Sequence, residues 1–131
     1  MGHKTRIMYI ENKGGEVVGH TDWGPVTSGA KNLTGPARIG KVTFTKSGKN
    51  LYYQGKLLQR TTNGSKANYL SLETGEWFWV SGPKKNGQDA LYATNIPTEI
   101  DDDVREEYWT VIRNQPNKAK ETKTLLARQS L

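Results

Sequence analysis

Tyr69-Leu70-Ser71-Leu72-Glu73-Thr74-Gly75-Glu76-Trp77-Phe78-Trp79-Val80 reads as two alternating runs joined by a Glu-Thr-Gly turn. Apolar residues at every second position predict half-buried strands, and glycine supplies the left-handed backbone of a hairpin loop. A two-residue type I′ turn would require positive φ at Thr74, which a β-branched side chain resists. A three-residue loop fits better, with Glu73 and Thr74 in a type I turn and Gly75 left-handed. That register sets Leu72 opposite Glu76 and Leu70 opposite Phe78. Leu70, Leu72, Phe78 and Val80 are then expected on a core face. Tyr69, Ser71, Trp77 and Trp79 are expected on an aromatic face with polar handles.

The pattern continues on both sides. Residues 6–11 hold Ile7, Met8, Tyr9 and Ile10, a run expected of a strand buried on both faces. Residues 38–45 place Val42 and Phe44 on one face and Lys41, Thr43 and Thr45 on the other. Further short runs fall at 50–53, 55–60, 67–72, 76–81 and 90–92, separated by glycine-containing turns. This spacing predicts a mainly β fold: a small twisted antiparallel sheet or partial barrel. One C-terminal α-helix is expected to pack on it. Asp103 and Glu106 have capping-box spacing, with Asp101 and Asp102 adding negative charge at the helix start. Val104, Tyr108, Val111 and Ile112 form the apolar stripe of a helix reaching about Arg113, and the aromatic sheet face is its expected cover.

Residues 1–113 thus read as a single β-rich domain. Within it, residues 12–36 carry six glycines and two prolines without sustained periodicity. They are expected to form a loop insertion, with a short strand at 16–18. Residues 114–131 are expected to be a basic tail, mobile or a short helix.

Composition excludes several classes of function. The chain has 131 residues and no cysteine, so disulfide scaffolds, thiolate metal sites and cysteine nucleophiles are absent. No apolar stretch approaches the ~20 residues of a membrane span, so a cytoplasmic protein without membrane contact is expected. The net charge of +6 is uneven. Residues 1–60 carry ten basic against three acidic side chains, 61–100 three against four, and 101–131 six of each. The whole excess lies in the first half.

Catalytic chemistry is poorly provided for. The two histidines are His3, near the terminus, and His20, in the glycine-rich segment beside Asp22. A base with an orienting carboxylate is conceivable there, but no nucleophile can be placed beside it. No phosphate-binding loop, dinucleotide fingerprint or metalloprotease motif occurs, and neither metal nor cofactor is expected. The expected function is non-catalytic binding. Lys84 and Lys85, on a Gly/Pro-rich loop after an aromatic strand, together with Arg38 and Lys41, are candidate phosphate contacts for RNA or DNA. Trp77 and Trp79 are the candidate stacking surface. Lysines on loops and strand edges also serve solubility and oppose aggregation, which weighs against that assignment. The alternative is a protein-interaction module, a subunit or inhibitor of a larger assembly. It would use the aromatic face or the glycine-rich segment.

Tyr9-Ile10-Glu11-Asn12-Lys13, Gly35-Pro36-Ala37-Arg38-Ile39-Gly40-Lys41-Val42-Thr43-Phe44 and Leu51-Tyr52-Tyr53-Gln54-Gly55-Lys56 carry a resemblance. So do Trp79-Val80-Ser81-Gly82-Pro83-Lys84-Lys85-Asn86-Gly87-Gln88-Asp89 and Asp102-Asp103-Val104-Arg105-Glu106-Glu107-Tyr108-Trp109. Together they resemble a family of short uncharacterised bacterial proteins. Some members carry the name 1-deoxyxylulose-5-phosphate synthase, a much longer enzyme that binds thiamine diphosphate through a Gly-Asp-Gly motif. No Gly-Asp-Gly occurs here, and one small domain cannot supply that cofactor cleft, so no thiamine-dependent activity is expected. In the family pattern the Lys13 and Gly35 regions are nearly adjacent and the chain ends soon after Arg113. Residues 14–34 and 114–131 are departures from it.

Overall fold

Six antiparallel strands close on themselves in a computed structural model that describes residues 4–62, 66–92 and 94–124. The barrel strands are β1 (Thr5–Gly15), β4 (Ala37–Phe44), β5 (Asn50–Tyr53), β6 (Lys56–Arg60), β7 (Tyr69–Leu70) and β8 (Glu76–Ser81). Strands β4 to β8 form a meander, β8 pairs with β1, and β1 pairs with β4 to complete the ring. The segment between β1 and β4 forms a separate hairpin of β2 (Val17–Thr21) and β3 (Gly24–Thr27). Two short strands, β9 (Thr98–Ile100) and β10 (Lys123–Thr124), extend the sheet outside the barrel. The mainly β class and antiparallel barrel expected from the runs are what the fold contains.

Strand β4 shares one edge between two partners. Its first half, from Ala37 to Ile39, pairs in parallel with β9, and its end, Thr43 and Phe44, pairs with β5. The barrel seam splits between them, at Gly40. A Cβ there would lie 2.4 Å from Asp101 Oδ2 and 2.5 Å from the Tyr53 ring, so only glycine admits the contact that bridges the split.

Alternation along β1 builds two cores. Met8 and Ile10 point inward to meet Val42, Leu51, Leu58 and Phe78. Tyr9 points outward to a second cluster with Ile39, Ala90, Ile100 and the C-terminal helix. The strand is therefore buried on both faces, as its apolar run implies. The segment at 90–92 forms no strand; Ala90 packs into the outer cluster instead.

Around the Glu73 turn the register differs from expectation by one residue. Ser71 N donates to Glu76 O and Gly75 N to Ser71 O, enclosing a four-residue loop, 72–75. Tyr69 therefore faces Phe78, and Leu70 faces Trp77. One residue of slip exchanges the faces of β7: Tyr69 is in the barrel core and Leu72 is exposed, while Phe78 and Val80 of β8 keep the expected core side. Gly75 does take the left-handed conformation, with φ of +78°.

The helix α1 spans 102–112 as a 3-10 turn, one α turn and a wider π turn. No side-chain cap bond forms at its start, so the expected capping box is absent. The π turn also revises the apolar stripe: Trp109 is buried, whereas Val111 is 71% exposed. Burying an indole removes ~150–250 Å² from water, roughly 4–6 kcal/mol, against about 1.5–3 kcal/mol for valine. That difference favours the widened turn that rotates Trp109 inward. Beyond it, a 3-10 turn at Pro116–Lys118 leads into β10, and Trp109 Nε1 donates to Glu121 O at 2.9 Å. The described part of the expected tail is thus docked; residues 125–131 lie outside the described ones. Among the described residues no helix is long and apolar enough to cross a membrane.

Candidate interaction hairpin and its root

The outward face of β1 carries Tyr9, Glu11 and Lys13 at a spacing of two, and all three are buried. Glu11 and Lys13 form an ion pair at 2.8 Å with both side chains fully enclosed. Burying two charges is costly unless every lone pair and proton is satisfied. Here each is used. Tyr9 OH donates to Glu11 Oε1 at 2.7 Å, and Gly35 N donates to Oε2 at 2.9 Å. Lys13 Nζ also donates to Leu33 O and lies 5.2 Å from the Tyr92 ring centroid. Burial, followed by the bond to Glu11, pushes the Tyr9 phenol above its ordinary pKa, so it remains a donor.

This network holds the root of the hairpin. Lys31 N and Asn32 N both donate to Lys13 O, and Asn12 N donates to Pro36 O. On the hairpin's other side, Ser28 N donates to Glu16 O, and Trp77 Nε1 donates to Ser28 O at 2.7 Å. Gly75 presses against the root too: a Cβ there would fall 2.2 Å from the Glu16 carbonyl carbon.

Beyond the root, no residue of β2 or β3 is buried. Thr21 Oγ1 accepts from Trp23 N and donates to Gly24 O, shaping the tip. Trp23 is 96% exposed, and Val18, Val26 and Leu33 are exposed as well. The expected loop insertion is therefore an ordered hairpin with apolar residues turned outward, and its strands run longer than the short strand expected at 16–18. Weak sequence alternation concealed it: Gly19, Pro25 and Gly29 interrupt the period.

The candidate nucleic-acid residues are distributed over several settings. Arg38 and Lys41, three apart on β4, point to opposite faces. Arg38 Nε donates to Asp101 Oδ1 at 2.6 Å, and Tyr53 OH donates to Asp101 Oδ2 at 2.5 Å. Asp101 thus bridges the barrel split rather than capping the helix. Lys41, Lys84 and Lys85 are exposed. The loop bearing the last two is shaped from beneath: Lys84 N donates to Asp89 Oδ1, and Arg113 Nε donates to Lys85 O. Asp89 Oδ2 is buried without a hydrogen-bond partner, and burial raises the pKa of its carboxyl. Trp77 and Trp79 are half-buried; Trp79 packs against the outer cluster containing Tyr108.

Among the described residues no three His, Asp or Glu side chains are grouped to hold a metal ion. His20 and Asp22, both exposed, share no hydrogen bond. Sequence reading missed Glu11 and Lys13 as a structural pair and Trp23 as an exposed anchor. A signal for the first exists: Tyr9, Glu11 and Lys13 repeat at the strand period on a strand whose other face is apolar. Comparison of the chain with protein-family profiles, curated proteins and solved structures found no significant match.

Proposed function

We propose that this protein is a non-catalytic protein-interaction module whose contact element is the β2–β3 hairpin. The observation that carries this reading is Trp23, 96% exposed at the tip of a hairpin whose root is rigidly tied to the barrel. Tryptophan anchors dominate protein interfaces because one rigid ring buries a large area at small entropic cost. A pre-ordered root lowers the ordering cost of binding further.

Charge selects among partners. Between residues 16 and 33 the hairpin carries Glu16, Asp22 and Lys31. Lys31 is paired with Glu16 at 2.5 Å, which leaves Asp22 beside the tryptophan as the unbalanced charge. An acidic group there repels phosphates and anionic headgroups, and complements a cationic rim around an apolar pocket on a protein. Nucleic-acid binding has weaker support. Its stacking rings are half-buried, and Arg38 and Lys41 point to opposite faces of β4.

The test is a photo-crosslinking residue at position 26, exposed on β3, in the full chain with Trp23 intact, incubated with extract of the source organism. A single stoichiometric protein should be captured, and Trp23→Ala should weaken its binding by roughly 30-fold. Lys84→Glu with Lys85→Glu should leave that binding unchanged. Salt-sensitive binding of single-stranded RNA or DNA that the lysine variants abolish and Trp23→Ala spares would overturn the assignment.

A further inference from the structure

Beside the split in the barrel seam, between the first half of β4 and the β5–β6 turn, lies a cavity of about 220 Å³. Ile10, Tyr53, Leu58 and Phe78 line its inner wall, and all four belong to the barrel core. Asn12, Arg38, Gln54, Lys56 and Glu99 stand around it as the polar lining. We propose that this cavity binds a small organic monoanion built on one ring, with the ring against the apolar wall and its carboxylate at Arg38 and Lys56.

Size limits the ligand. An apolar cavity of about 150 Å³ accommodates benzene, so this one holds a single ring with a short substituent. On the inner wall the one donor is the Tyr53 hydroxyl, which is committed to Asp101, and the Asn12 amide beside it is engaged by Glu76 and by Gly14 N. The buried part of the ligand must therefore be apolar.

Charge sets its polar end. Both acidic groups near the rim already have partners. Glu99 faces Lys123 at 3.6 Å, and Asp101 receives Arg38 Nε and the Tyr53 hydroxyl. Lys56 has no ion pair among the described residues, and it is exposed. Arg38 engages Asp101 through Nε and also reaches the Tyr53 hydroxyl, and the outer edge of its guanidinium lines the cavity. The balance at the mouth is one unpaired positive charge beside a guanidinium edge, which suits a carboxylate.

Gln54 adds a second indication. With Gly55 it makes a two-residue turn with both residues at positive φ, +51° and +80°. Asn, Asp or Gly is preferred at the first of these positions. Glutamine is longer, and its Nε2 reaches the Tyr53 hydroxyl at 3.2 Å, at the cavity lining. A less favourable turn residue whose side chain returns to a cavity is a local conflict of the kind found at binding sites.

The site uses neither Trp23 nor the hairpin tip, so its failure and the failure of the hairpin assignment are distinguishable. The probes are benzoate and its neutral isostere benzamide, titrated into the full chain with labelled methyl groups and followed by NMR. Benzoate should shift the Ile10 and Leu58 methyl signals with a Kd on the order of 1 mM, at least about fivefold tighter than benzamide. Lys56→Met, at an exposed position, should weaken benzoate about threefold and leave benzamide unchanged. Three results would each overturn the proposal: unmoved Ile10 and Leu58 signals at about 20 mM benzoate, equal affinity for the two probes, or a Lys56→Met variant that binds benzoate as well as the parent.

Discussion

The β5–β6 and β2–β3 hairpins are both built from short strands joined across two residues, yet they are stabilised in opposite ways. In β5–β6, Leu51, Tyr53 and Leu58 are buried in the barrel, and the turn residues Gln54 and Gly55 both have positive φ. That turn twists its strands into the barrel wall. In β2–β3, Asp22 and Trp23 lie outside the left-handed region, no strand residue is buried, and the apolar side chains face outward. An isolated two-stranded hairpin is marginal in water. This one persists because its root is tied by Glu11, Lys13, Ser28 and Trp77. The wall hairpin contributes Leu51, Tyr53 and Leu58 to folding, whereas the projecting hairpin leaves its apolar residues free for another molecule.

Lys13→Met breaks this contrast most severely. It leaves the Glu11 carboxylate buried without its cation, and a loss of about 3–5 kcal/mol is expected in urea denaturation. Glu11→Gln combined with Lys13→Met should recover a large share. A loss under about 1 kcal/mol for the single variant would show that the ion pair is not the anchor of the root. Gly75→Ala comes next, at about 2–3 kcal/mol, because it adds a Cβ at positive φ against the backbone of Glu16 and Val17. Hydrogen exchange at the Val17 amide should rise with it. If the variant melts like the parent, the turn of β7–β8 does not brace the hairpin.

The wall hairpin should respond with the opposite sign. Gln54→Asn suits the left-handed turn position and is expected to stabilise by about 0.5–1 kcal/mol, read as a raised Tm. A lowered Tm would mean that the Gln54–Tyr53 hydrogen bond outweighs the turn preference. Smallest of all is Trp23→Ala, which should change stability by less than about 0.5 kcal/mol while removing partner binding. A larger loss of stability would make Trp23 a folding residue and dissolve the difference between the hairpins.

Much of the barrel was legible from sequence because its signals are local. The 50–53 and 55–60 runs are short and apolar-bearing, glycines mark the turns, and β1 shows an unbroken apolar run. The sites were less so. The Glu73 loop is one residue longer than turn chemistry alone favoured, and that residue moved Tyr69 into the core. At the helix, α-helical spacing selected Val111 over Trp109, because the π turn that buries the indole gains its stability from the cluster it packs against. Trp77 and Trp79 were recognisable as an outward aromatic pair, but what half-covers them comes from distant segments: Ser28 for Trp77 and the helix cluster for Trp79.

By itself the sequence determined a β-rich chain without cysteine, with its positive excess in the first half and a final amphipathic helix. These follow from composition and from periodicities of a few residues. Only the tertiary structure decided that Glu11 and Lys13 are buried together, that Arg38 is held by Asp101 across the barrel seam, and that Trp23 is left outside. Each depends on which remote segment arrives to desolvate or neutralise a side chain. Leu33 and Gly35 close over Lys13 and Glu11 from 20 and 24 residues away, and Asp101 meets Arg38 across 63 residues. The environment of each side chain is therefore set by tertiary contact.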